Sequence, residues 1–342
     1  MCSHPRYPLA QAPELVLQNM LNYTREQKAV GEAVGTSSEI TSQLLSLSRS
    51  ALSVAGGIIK VIFKFLWPSE TNREEVWNTF MDAEESLINE KIENYARKRA
   101  NAELNSLYNT LREYNDKLEI FSQDPTENHA AHLRMQVIVT ENLFEYTMLF
   151  FAVEDYEIQL LTVYAQAANL HLAFLRDAVK FGGEWGFSEL EIKDFNRSME
   201  ERTKENTNYY INIYSQGLEK AKTLAANLYD HNTYPWTRYN QGVREEEKPN
   251  CRLKFDSSDP LNEFHKQESP HMGPVRWSIS EYQKLENWNL YHAYRRDMTI
   301  MVLDVVSLWP TYDPGLYPTS NGVKAELTRE LYTDIRGDNL SK

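Results

Sequence analysis

The side chains with chemistry to offer are carboxylates, a few histidines and two cysteines. Glu141 and Glu145 stand four apart in LRMQVIVTENLFEY, so a helix there puts both on one side, which reads first as a solvated face. His171 lies alone in a long uncharged run, where either a core histidine bonded to a neighbour or a pH-sensitive group fits. Cys251, His265 and His271 fall at separations that match no tight zinc pattern, so no metal site is expected. There is no Gly-rich phosphate loop and no Gly-x-Ser-x-Gly elbow. With 49 Asp and Glu in the chain, a carboxylate pair alone says nothing of catalysis. Neither an enzyme nor a cofactor is expected. Arg25 and Lys28, in a weakly patterned stretch near the start, are candidate protease-trimming sites.

Composition narrows the classes further. A net charge of −13 over 342 residues argues against nucleic-acid binding, which needs basic patches. Hydrophobic residues make up 42% and mean hydropathy is −0.58, enough apolar matter for a core in a chain that stays in water. Cys2 and Cys251 are too few and too badly placed for a disulfide framework. The start, MCSHPRYPLAQAPE, lacks the apolar core of a secretory signal.

The elements that must position these groups centre on Tyr156–Phe181. Ile158 to Leu175 holds no charge, and its apolar residues surround the helix rather than forming a stripe. As one helix it spans about 39 Å, against about 30 Å of bilayer hydrocarbon. Ahead of it, Asn128–Phe151 is an amphipathic helix bearing Glu141 and Glu145, joined through the short Ala152–Asp155 link. A long helix from about Glu90 to Ser122 shows Ile92, Tyr95, Leu104, Leu107, Leu111, Tyr114 and Leu118 at spacings of three and four. Shorter helices are expected at Glu14–Val30, Ser38–Ser50, Ile58–Trp67 and from about Asn72 to Ile88. GGEWGF stops the central helix, and Ser188 with Glu191 forms a capping box for the next, to about Tyr229. Residues 230–277, broken by prolines, read as an irregular insertion, and a last helix covers about Ser280–Trp309. The fold expected is all-α, a bundle of about seven helices with an apolar helix at the centre and amphipathic helices around it.

LLTVYAQAANLHLAFLRDAVKFGGEWGF (Leu160–Phe187) resembles the central helix and its exit in the three-domain insecticidal crystal (Cry) delta-endotoxins. YRRDMTIMVLDVVSLWPTYD (Tyr294–Asp313) resembles the last helix of their first domain, and VWNTFMDAEESLINEKIENYARKRANAEL (Val76–Leu104) its second and third helices. RYPLAQAPELVLQNM is similar to the leader of some members, and ELTRELYTD to the strand that leaves the first domain. The resemblance implies a protease-removable leader at 1–37, a pore-forming bundle at 38–313 and an exit segment at 314–342 toward a receptor-binding domain absent from this chain. It implies deposition in a parasporal crystal, then action in the gut lumen on the target-cell membrane. The implied partners are gut proteases, a membrane receptor held through the absent domains, and further copies in the pore.

The implied mechanism is insertion of the hairpin at about 128–181, with Leu160, Leu161, Ala168, Asn169, Leu172 and Leu175 on the inserting helix. Glu141 and Glu145 would ring the lumen and favour cations. Two departures stand out. Val139 occupies the place where the family often has a carboxylate in the pore-lining helix, and the insertion at 230–277 is longer than the family's usual turn. The chain ends at Lys342, as a fragment of a longer toxin or as a stand-alone domain. The alternative is a non-lytic module that keeps the bundle for interaction or crystal packing.

Overall fold

A computed structural model describes residues 12–47, 54–88, 90–232, 252–255, 264–267 and 291–314, with side chains left out of account at 12–27, 223–232 and in the two strands. The tail KAELTRELYTDI and most of the insertion lie outside the described residues.

Helix α1 (Ala12–Ser46) runs unbroken where two short helices are expected, and it passes through the 37/38 boundary without a turn. Its Ala33, Ser37, Ile40, Thr41 and Leu44 are buried. After Gly56, in the left-handed region at φ 75°, helix α2 (Gly57–Leu66) turns Ile58, Ile59, Ile62 and Leu66 inward. A side chain at Gly56 would be strained, and its Cβ would come within 2.8 Å of Leu118 Cδ2. Helix α3 (Glu75–Ile88) buries Trp77, Phe80, Met81, Ala83, Glu84, Leu87 and Ile88. Helix α4 (Asn94–Gln123) starts four residues later than expected and buries Leu104, Leu107, Leu111, Tyr114 and Leu118, the face that its periodicity marks. Tyr95 departs from that face and is 77% exposed.

Helix α5 (Glu127–Met148), capped by Thr126 Oγ1 accepting from the His129 N–H, is apolar on two sides. Leu133, Val137 and Phe144 point into the bundle, whereas Met135, Ile138, Val139 and Tyr146 face out. Val139 follows Val137 by two residues, about 200° around a helix, so the two cannot share a face. The link to the next helix is longer than expected, covering 149–160, and Asp155 stands in it at φ 74°. Tyr156–Leu160 belongs to this link. Helix α6 (Leu161–Phe181) is thus shorter than the sequence implies, about 32 Å long.

Helix α7 (Glu189–Asn232) opens on the capping box: Ser188 N–H donates to Glu191 Oε2 at 2.7 Å, and Glu191 N–H donates back to Ser188 Oγ. The insertion contains an antiparallel strand pair, β1 (Arg252–Phe255) and β2 (Phe264–Gln267), with Arg252 opposite Gln267. The last helical stretch, 291–312, is not uniform. A π turn at Thr299–Leu303 and a short α-turn (Asp304–Leu308) lead into a 3-10 turn at Trp309–Tyr312 that carries Pro310 inside it. Trp309 and Tyr312 are buried as a result. Eight helical segments among the described residues form an all-α bundle, and every residue of α6 from Leu161 to Ala178 is buried within it.

Candidate functional site: the α5–α6 hairpin and its tethers

Alanines at 165, 167, 168, 173 and 178 let the surrounding helices approach α6 closely. Its few polar groups cannot be left unpaired at this depth without a cost of about 1–3 kcal/mol each. The bonds they make are spread among the neighbours, although Gln166 Oε1, Asn169 Nδ2 and His171 Nδ1 are buried without a partner. Tyr164 Oη donates to Asn206 Oδ1 of α7 at 2.7 Å, and Gln166 Nε2 donates to Ser37 Oγ of α1 at 3.4 Å. Asn169 Oδ1 accepts from Tyr312 Oη at 2.7 Å. His171 Nε2 lies 3.0 Å from Glu141 Oε2 of α5, and the imidazole stacks on Phe144 with centroids 4.6 Å apart. Helix α4 contributes an aromatic edge instead, Tyr114 against Phe174 at 5.2 Å.

Both ends of α6 are held by buried carboxylates. At the start, the N–H groups of Leu161 and Thr162 donate to Glu84 of α3, the first at 3.1 Å. A carboxylate suits the positive end of a helix, but this one is 1% exposed, and burial pushes its pKa up to about 8. Near the other end, Asp177 Oδ2 accepts from Gly56 N–H at 2.6 Å, and Oδ1 pairs with Arg176 at 3.2 Å. Burial raises Asp177 to about 6, with Arg176 and the Gly56 N–H opposing the rise. Burial also lifts the phenols of Tyr164 and Tyr312 well above their ordinary 10, so both hydroxyls stay protonated donors in alkaline solution.

The six residues singled out on the inserting helix, Leu160, Leu161, Ala168, Asn169, Leu172 and Leu175, are all fully buried, and Leu160 lies just before α6 begins. Glu141 and Glu145 do not form a solvated face. Glu141 turns to His171, and Glu145 takes two bonds from Arg202 of α7, the one from Nε at 2.6 Å. The reason is geometric: the side of α5 that carries them is turned toward α6 and within reach of Arg202 from α7, and the outward side carries Val139 and its apolar neighbours. Oxygens of both glutamates and a nitrogen of His171 fall within 4.8 Å of one another, but Glu145 is already paired with the Arg202 guanidinium and Glu141 with the imidazole of His171. Lys28 is exposed on α1 and pairs with Glu32 at 3.4 Å; Arg25 lies in the same helix, its side chain outside the described residues. Sequence reasoning missed Glu84. The signal was present: Glu84 sits in the middle of the apolar series Trp77, Phe80, Met81, Leu87 and Ile88, on the buried stripe of α3. Among the described residues, no helix is long and apolar enough to cross a membrane.

Residues 45–244 match the family model of the delta endotoxin N-terminal domain. The chain is 35% identical over 273 residues to the pesticidal crystal protein Cry1Ia of Bacillus thuringiensis subsp. kurstaki, an alignment covering 80% of this chain and 29% of that protein. It is 32% identical over 342 residues to Cry7Ab of Bacillus thuringiensis subsp. dakota, covering 96% of this chain and 24% of the relative. The fold superposes on the insecticidal crystal protein Cry7Ca1 of Bacillus thuringiensis with a TM-score of 0.61 and 26% identity, covering 85% of this chain and 39% of that one. It is also similar to the delta-endotoxin Cry8Ea1 of the same organism, with a TM-score of 0.61, 28% identity and the same coverage. The chain therefore spans well under half the length of these relatives.

Proposed function

Since the chain belongs to the delta endotoxin family through its N-terminal domain, we propose that it is the pore-forming part of an insecticidal toxin. In this reading the folded bundle stores α6 in water. Trimming within α1, at Arg25 or Lys28, loosens the cover. The α5–α6 hairpin then enters the membrane of gut epithelial cells, and several copies assemble into a cation-permeable pore. Domains outside this chain would supply receptor binding.

The observation that carries this reading is the burial of α6 on all sides beside a helix with a second, unused apolar face. In water, α6 has no polar face and must be wrapped. In lipid, α6 no longer needs its present neighbours, and the outward apolar side of α5, exposed in water, gains an apolar surrounding. Asn169 and Gln166, bonded now to Tyr312 and Ser37, would exchange those partners for interhelical ones. Glu141 and Glu145 would leave His171 and Arg202 and turn to the lumen.

Planar-bilayer conductance of the chain before and after trypsin tests the reading. Discrete cation-selective steps after trimming are expected, with selectivity reduced in a Glu141→Gln/Glu145→Gln variant. A silent bilayer with the bundle intact by circular dichroism would refute pore formation by this chain alone. Ala168→Asp should abolish conductance, and because Ala168 is fully buried the variant's fold must be verified alongside. The insertion at 230–277, longer than the family's usual turn, motivates a second reading, a non-lytic interaction module. In that case no leakage follows trimming under any condition.

A further inference from the structure

Three carboxylates are buried among the described residues: Glu84, Asp177 and Asp297. Asp177 has Arg176, and Asp297 has Arg296 at 2.7 Å. Glu84 has two backbone N–H groups of α6 and no bonded cation. The groups facing it sharpen the contrast. From α7 comes the phenol of Tyr209, which also feels Tyr164 and Glu157. From the last helix comes the buried phenol of Tyr294, backed by Tyr214. The buried face of α1 is uncharged, formed by Ala33, Ser37, Ile40, Thr41 and Leu44. On α3 itself, Asp82 and Glu85 are both engaged by Arg97. An ionised Glu84 therefore sits among phenols and apolar side chains, with only the first turn of α6 to stabilise it.

We propose that Glu84 is an alkaline-responsive latch between α3 and the N-terminus of the central helix. Protonated, it closes α3 over the first turn of α6. Ionised, it favours an opened arrangement in which water reaches the carboxylate. The N–H bonds from Leu161 and Thr162 strengthen when the group is charged, yet they do not offset the lost hydration, as the upward displacement to about 8 records. In the opened arrangement the carboxylate returns to its ordinary 4.5, so a rise in pH draws the equilibrium toward opening. The latch belongs to the bundle in water and stands whether or not the hairpin enters a membrane.

Hydrogen exchange of the full chain tests it, with millisecond quench-flow labelling at pH 6.5 and pH 9.5 and correction for intrinsic rates. Closed and open values of about 8 and 4.5 set an increase in opening of roughly thirtyfold between those conditions. Peptides covering 75–88 and 157–165 should lose protection by about that factor in the parent, and Glu84→Gln, which keeps an acceptor oxygen and the volume, should not. Equal loss in both proteins, or none in the parent, would overturn the latch. Should Glu84→Gln fail to fold, carbon-13 NMR of glutamate carboxyl groups in the parent decides the matter. One resonance with a midpoint near 8 is expected, and midpoints all below 6 would overturn the proposal.

Discussion

Replacing Tyr312 by phenylalanine deletes one oxygen and tests how the last helical stretch holds the central helix. The Tyr312 hydroxyl donates to Asn169 Oδ1 at 2.7 Å, and both residues are buried, 2% and 0% exposed. Without the hydroxyl, Asn169 keeps a buried carbonyl oxygen with no partner, a loss of about 1–3 kcal/mol. Asn169→Leu alone strands the hydroxyl instead and costs a similar amount, whereas the double variant faces two apolar groups and recovers much of the loss. Urea unfolding of the four proteins, followed by circular dichroism, gives the coupling directly, expected at about 1 kcal/mol or more. If opening of the bundle limits pore formation, the same 1–3 kcal/mol speeds the onset of bilayer current about 5- to 150-fold in Tyr312→Phe. A Tyr312→Phe protein as stable as the parent, with no coupling to Asn169, would refute the claim that this bond clamps α6. Alkaline pH alone should spare the clamp, because burial keeps the phenol protonated beyond the range in which exposed tyrosines ionise.

Further outcomes follow from the other tethers. His171→Phe should lower stability by about 1–3 kcal/mol by stranding Glu141, and Glu141→Leu on that background should restore much of it in urea melts. Asp177 has a folded pKa of about 6 against an ordinary 3.8, so its contribution is fully present below pH 4 and is lost as pH rises through 6. That decline, at most about 3 kcal/mol, should vanish from the stability–pH curve of Asp177→Asn, leaving the decline from Glu84 that continues to about 8. Gly186→Ala should cost more than about 1 kcal/mol, because Gly186 stands at φ 85° and an added Cβ would lie 2.4 Å from Arg134 Nη1. A thermal scan of that variant checks both the strain and the displacement of Arg134 from the Trp185 carbonyl.

What was legible in the sequence was whatever depends on the pattern along one helix. The uncharged run Ile158–Leu175 implies a helix buried on all sides, and the three-and-four spacing of Leu104, Leu107, Leu111, Tyr114 and Leu118 implies the inward face of α4. The Ser188/Glu191 box marks the start of α7 because a capping box is a local bond between residues three apart. Tertiary structure alone decided which helix answers each polar group of α6. Ser37 and Gln166 are 129 residues apart, and Asn169 and Tyr312 are 143 apart. It also decided that Glu141 turns to His171 and Glu145 to Arg202 while Val139 faces out. One amphipathic pattern allows either side of α5 to face the core, and only the packing of α4 and α6 against it selects which side that is, with Arg202 of α7 reaching across to Glu145. Glu84 joins both kinds of information. Its place on the apolar stripe of α3 is written in the local spacing, but its partner is the first turn of a helix 77 residues further along the chain, and periodicity within α3 says nothing about what that stripe will meet.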